Sequence, residues 1–314
     1  MSESKSPAPA GVKSASRTDP LPMALALGVI GLLFVVMNAA VMKRLFMTWV
    51  NDSDFTHGFF VPVIAVYFIW DRREELAEIE YRPSFWGLAL LVGSILLRIM
   101  SIPTEPLYTQ ALSMVLMLGG LVWYLGGTKA AAKFAFPIAF LVLMIPLPGV
   151  IFTKIAVFLQ HIATASSAVL LNLLGHWLGI VVNTSGNVIE LTAGGRVKYL
   201  EVARACSGIR SLVGLVTMGV AFSYVVTRYL WERVVIVAST IPIAIFCNML
   251  RVTITALLYA RHLDRLAEGF LHQFEGMVMF AVALGMLFCV ERVLKLLIVE
   301  EAPAAPGSSE AQAG

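Results

Sequence analysis

Long apolar runs broken by short polar stretches set the pattern of this chain. Eight of them come close to the roughly 20 residues that a bilayer core requires of a helix. They cover 21–42, 55–70, 84–101, 107–126, 131–149, 204–227, 233–257 and 274–297. The second is short for a span and opens in the polar sequence Asp54-Phe-Thr-His-Gly58. The first, Leu21 to Met42, is longer than a signal-peptide core and lacks a clean small-residue cleavage site, so it is expected to remain as an anchor.

A ninth stretch, 151–181, is interrupted by Lys154, Gln160, His161, Asn172 and His176. That mixture predicts a helix lying at the membrane interface or wedged among the others, with both histidines on its polar face. After it, two β-prone runs flank Gly194-Gly195 within residues 183–202, which predicts a short outward-facing hairpin. A lid, a substrate rail and a plain connector are all open to it. The expected fold is therefore all-α: a polytopic membrane bundle of about eight transmembrane helices, plus an interfacial helix and the hairpin. It occupies 21–298, between tails 1–20 and 299–314 that are expected to be disordered.

Composition agrees. The chain has 314 residues, 59% hydrophobic and 14% charged, and its mean hydropathy is +0.83; a soluble globule is excluded. The net charge of +3 comes from scattered basic residues, so no nucleic-acid partner is expected. Of three cysteines, Cys247 and Cys289 sit inside apolar runs and read as inert buried thiols. No histidine or carboxylate pair has metal-site spacing and no glycine-rich phosphate loop occurs, so neither metal nor cofactor is expected.

Loop charge suggests an orientation. With 151–203 on one side, the inner segments carry Lys5, Lys13, Arg17, Arg72, Arg73, Arg82, Lys129, Lys133, Arg228, Arg233, Arg292 and Lys295. The outer segments carry Lys43, Arg44, Lys154, Arg196, Lys198, Arg261 and Arg265. Twelve against seven places both termini inside. Four chemically capable residues, His57, Cys206, Arg251 and His272, then fall in one outer layer.

The densest chemistry lies in Glu201-Val-Ala-Arg-Ala-Cys-Ser-Gly-Ile-Arg-Ser-Leu212, where a polar loop enters an apolar run. Ionisable groups there are costly and so point to function. A thiol at a helix N-terminus with cations nearby has the surroundings that favour thiolate. Cys206 is the candidate nucleophile of an acyl-transfer reaction, His272 the candidate acid and base, and Arg251 the candidate oxyanion partner. Arg210 follows Cys206 by four residues and so is expected on the same helical face, and Gly208 leaves the backbone open to substrate. Bland readings stand beside these. Cys206 could be packing, Ser207-Gly208 small-residue helix contact, and His272 an interfacial cap. Arg251 could snorkel or pair with Glu275, and Arg98 reads as a snorkelling arginine.

Ala205-Cys206-Ser-Gly-Ile-Arg210-Ser-Leu, Asn248-Met-Leu-Arg251 and His272-x-x-x-Gly276 resemble the three signature blocks of the exosortases, relatives of the archaeosortases. The resemblance extends to Thr56-His57-Gly58-Phe-Phe-Val-Pro, Ile145-Pro-Leu-Pro-Gly149 and Gly186-Asn-Val-Ile, in order, from about residue 50 to 290. It implies an eight-span cysteine enzyme of the bacterial inner membrane, from exopolysaccharide-producing Gram-negative cells. Its active site would face the periplasm, with the hairpin, and both termini would be cytoplasmic. Its partners would be exported proteins bearing a C-terminal PEP-CTERM signal: a Pro-Glu-Pro motif, a hydrophobic helix and a basic cluster. The family's proposed Cys, Arg and His match Cys206, Arg251 and His272.

The substrate glutamate is expected to pair with Arg204, Arg210 or Arg98, and His57 is a supporting candidate. The acceptor that resolves the thioester is not identified by the sequence. The soluble domain that some members carry after the last span is expected to be absent here. Two other functions compete: a transport or assembly component for exopolysaccharide, and a silent docking protein that retains its clients at full length.

Overall fold

The computed structural model describes residues 20–77, 79, 82–102, 106–202, 208–227, 229–261, 263 and 270–297, with backbone alone at 20–24, 178 and 270–276. The expected disordered tails lie almost entirely outside these residues. Among the described residues, seven helices are long and apolar enough to cross a membrane. The protein is a multi-pass, all-α membrane bundle.

Helix α1 (Pro20–Asn51) turns Leu25, Leu32 and Val36 outward. On a helix apolar nearly all round, such exposure is contact with lipid. Its inner edge buries Asn38, Val41 and Leu45. A 3-10 segment, Ser53–Phe59, follows, capped by Asp52, whose carboxylate accepts from the Asp54 amide at 3.0 Å. It feeds α2 (Phe60–Asp71) and a short α3 (Arg73–Ala77).

Helices α4 (Phe85–Ser101) and α5 (Leu107–Phe140) pack almost backbone to backbone. A Cβ on Gly87 would lie 2.1 Å from the Tyr124 nitrogen, and one on Gly120 would lie 2.7 Å from that of Leu91. Small residues at such a seam let membrane helices approach closely where apolar burial gives no advantage.

Helix α5 is two arms. Gly127 has φ 79° and ψ −177°, a region open essentially to glycine alone, and the chain reverses there. A Cβ on Gly119 would touch Ile138 at 3.6 Å, and Ala111 and Phe140 share one core. The arms correspond to the separate spans expected at 107–126 and 131–149, although the second ends sooner, in a 3-10 turn at Leu141–Met144.

Helix α6 (Gly149–Leu178) is one unbroken 30-residue helix, and hydropathy alone would let it cross. Its contacts place it otherwise. Phe152, in its first turn, shares a cluster with Ile209 and Phe55, whereas Ala168 and Leu171 pack with Val252 and Ala256 late in α8 (Leu230–Ala260). Ser167 donates to the Met249 carbonyl at 3.2 Å between these levels. The helix climbs beside the last turns of α8, so both its ends stay at one end of the bundle.

Gly179, left-handed at φ 67°, stops α6. A three-stranded antiparallel meander follows, ordered β1 (Ile180–Ser185), β2 (Val188–Ala193), β3 (Arg196–Glu201), with Ile180 opposite Ala193 and Val188 opposite Glu201. The expected hairpin around Gly194-Gly195 is β2–β3. The correction is β1: Ile180 and Val181 continue the apolar run of α6 in sequence, yet belong to a strand. Ile180, Val182, Ile189 and Leu191 bury together against α6 and α8.

Helices α7 (Ile209–Val226) and α9 (Phe270–Leu297) complete the bundle around Leu215, Ile236, Ala244 and Leu287. Contacts sort the connections into two ends. At the basic end, Lys133 pairs with Glu75, and Arg72 and Arg233 lie 4.6 and 4.8 Å from the Tyr224 ring centre. Trp70, Trp86 and Trp231 are exposed there, as aromatic residues are at a membrane interface. At the other end Trp49 donates to the Met144 carbonyl at 3.0 Å. Among the described residues, the segments that run from end to end are α1, the 3-10 segment with α2, α4, both arms of α5, α7, α8 and α9.

Candidate active site

Helix α7 starts at Ile209, and its first turn closes when the Leu212 amide donates to the Gly208 carbonyl at 2.8 Å. Gly208 itself is left-handed, at φ 79°. A Cβ there would fall 2.7 Å from Cγ of Asn248, a residue of α8 only 6% exposed. Backbone conformation and close approach both require glycine at this point. Cys206 precedes Gly208 by two positions in the sequence. Cys206 and Arg204 lie outside the described residues.

Helix α7 begins at Ile209 after a left-handed residue, and the expected shared helical face of Cys206 and Arg210 falls outside the described residues with Cys206. Arg210 reaches across to the 3-10 segment. Its Nε donates to Asp54 Oδ1 at 3.1 Å, and its Nη2 donates to the Ser53 hydroxyl. These use two of five guanidinium donors, and the Arg210 side chain is 49% exposed against 17% for Asp54. Sequence reasoning missed Asp54 and Ser53. Their only signal was the polar opening of the second apolar run.

His57 lies in the same 3-10 segment, with Nε2 3.1 Å from the Leu143 carbonyl. A carbonyl only accepts, so Nε2 carries the proton in that bond. The imidazole thereby ties the segment bearing Asp54 to the end of the second α5 arm. Trp49 grips the same corner, and a Cβ on Gly58 would fall 2.3 Å from its Nε1.

Arg251 lies on α8 three residues after Asn248, on the same face. It borders a cavity of about 10 Å³ together with Ser211, Cys247, Asn248 and Phe280. A second cavity of about 10 Å³ lies between Gly208, Asn248 and Ala163. Each has room for about one water molecule. Asn248 thus stands between the turn that precedes α7 and the space beside Arg251, and it too went unassigned in the sequence.

His272 occupies α9 about two turns before Phe280, at this same end of the bundle. Its side chain, like that of Glu275, lies outside the described residues, as therefore does the suggested Glu275–Arg251 pair. Arg98 is grouped elsewhere: it donates to the Gln110 carbonyl at 3.4 Å, while Arg44 donates to Gln110 Oε1 at 3.2 Å. That places it in the α1–α4–α5 corner, apart from the α7–α8 group. Cys247 is buried as expected, whereas Cys289 is exposed on α9, since a lipid-facing position is as apolar in sequence as a core one. Among the described residues no three histidine, cysteine or acidic side chains gather as metal ligands.

The model of the transmembrane exosortase family matches residues 49–289, a stretch that contains Asp54, His57, Cys206, Arg210, Asn248, Arg251 and His272. No curated protein matches the chain, and no solved structure does.

Proposed function

The chain belongs to the transmembrane exosortase family, and on that premise we propose that it is a membrane cysteine protease or transpeptidase acting on C-terminal sorting signals of exported proteins. Cys206 is its nucleophile, Arg251 its oxyanion partner and His272 its acid and base. The observation that carries the reading is the contact of Gly208 with Asn248. It fixes a backbone point two residues from Cys206 against the α8 face that bears Arg251.

In this reaction the Cys206 thiolate attacks the scissile carbonyl, and the carbonyl π electrons move onto oxygen, facing the Arg251 guanidinium. When the tetrahedral species collapses, the C–N bond breaks and the leaving nitrogen takes a proton from the His272 imidazolium. A thioester to Cys206 remains. Water or an acceptor amine then attacks it, gives its proton back to His272, and frees the thiolate.

The client helix would lie among the spans with its basic cluster at the cytoplasmic face and its Pro-Glu-Pro motif at the periplasmic rim of the inner membrane. Lys and Arg enrichment at the end opposite the site supports that orientation. Three guanidinium donors of Arg210 remain for the client glutamate, and Arg204 is the second candidate. Arg98 is disfavoured by its place beside Gln110. His57 serves by anchoring the 3-10 segment.

The test is covalent trapping. Purified enzyme incubated with a client peptide should gain the mass of the acyl fragment at Cys206, and neutral hydroxylamine should remove it. A transport component or a silent docking protein gains no such adduct.

A further inference from the structure

At the basic end, the turn between the two arms of α5 and the start of α4 enclose an open cleft of about 500 Å³. Arg82, Ser84, Gly127, Thr128 and Lys129 line it, with Phe85 at its edge. Two cations and two hydroxyls in one concavity have the chemistry of a phosphate site. The walls are fixed by glycine: a Cβ on Gly127 would fall 2.0 Å from the Arg82 carbonyl oxygen. Trp123 Nε1 donates to Thr128 Oγ1 at 3.2 Å and holds the far wall.

Two further observations bear on the ligand. The cleft lies at the level of the exposed tryptophans, Trp86 being 71% exposed, and so at headgroup depth. Directly below it, Phe85, Ala89, Val92, Leu96 and Ile99 form an exposed apolar stripe at helical spacing along α4. A free anion would have no use for that stripe, whereas an acyl chain would. We propose that this cleft binds the phosphodiester of an anionic phospholipid, with Arg82 and Lys129 as counter-charges and one acyl chain along α4. Basic recesses between membrane helices take anionic headgroups by this combination. The site is separate from the one assigned to peptide cleavage, at the opposite end of the bundle.

The test is thermal unfolding of the full chain in neutral detergent with dioctanoyl phosphatidylglycerol, dioctanoyl phosphatidylcholine or inorganic phosphate. At tenfold the dissociation constant, phosphatidylglycerol should raise the midpoint on the order of 3 °C, and the other two should not. The Arg82→Ala/Lys129→Ala variant should lose the rise, and Arg82→Lys/Lys129→Arg should keep it. Should the double alanine variant fail to accumulate, Lys129→Ala alone, at an exposed helical position, should reduce the rise. A rise unchanged in the alanine variants, or equal with phosphatidylcholine, would overturn the proposal. An equal rise with inorganic phosphate would overturn its lipid half.

Discussion

Asp54 Oδ1 lies 3.1 Å from Nε of Arg210, joining residues 156 apart in the sequence. The pair fastens the 3-10 segment to the first turn of α7, next to the turn that follows Cys206. Half-exposed ion pairs are worth about 0.5 kcal/mol, so its value is positional. Asp54→Ala and Arg210→Ala should therefore each lower client processing severalfold while changing stability little. A double-mutant cycle on processing rate should give coupling; strict additivity would mean the contact plays no part.

The Gly208–Asn248 contact makes a sharper prediction. Gly208→Ala forces a left-handed alanine, costing about 1–2 kcal/mol, and drives a Cβ into the Asn248 side chain. Membrane accumulation and processing should both fall. Adding Asn248→Ala removes the 2.7 Å contact with Cγ but leaves a Cβ approach of 3.0 Å and the backbone penalty, so it should restore accumulation in part. Full restoration, measured by fluorescence size-exclusion of the tagged protein, would show that φ at residue 208 is not what matters.

Gly127 offers a contrast in the same molecule. With φ 79° and the Arg82 carbonyl in the way, Gly127→Ala should block the reversal of α5 and prevent accumulation of folded protein. Gly31→Ala on α1 meets nothing within 4 Å and exchanges a poor helix former for the best one. It should leave accumulation equal or higher.

The reversal at Gly127 is legible in the sequence because two apolar runs of span length flank Gly126-Gly127. The end of α6 is harder: Leu178-Gly-Ile-Val-Val is apolar throughout, and apolar continuity does not separate helix from buried strand. Gly179 is the available cue. The start of α7 is hidden for a different reason: it is set by the left-handed conformation of Gly208, which the expected span 204–227 does not mark. At the site, layer arithmetic is enough to bring His57, Arg251 and His272 to one end. Asp54 and Asn248 are not legible, because a pairing across 156 residues leaves no periodic trace and a buried amide in an apolar helix resembles a packing residue.

At the basic end, the Lys133 ammonium, by hydrogen bond and then by charge, holds the exposed Glu75 carboxyl below its ordinary value. A depressed carboxylate stabilises the fold above its unfolded pKa and loses that contribution as pH falls through the folded one. Wild type should therefore exceed Glu75→Gln slightly in melting temperature at neutral pH, and the two should converge in acid below the usual carboxylate range. A gap that widens in acid would contradict the pairing.

Cys206 is the central assignment, and mass spectrometry of client C-termini from cells tests it. Cells carrying the wild-type protein should yield clients trimmed within or beside the Pro-Glu-Pro motif. Cells carrying Cys206→Ala, at equal membrane abundance, should yield only clients that retain their C-terminal helix. Identical trimmed termini in both strains would contradict the assignment of Cys206 as the nucleophile.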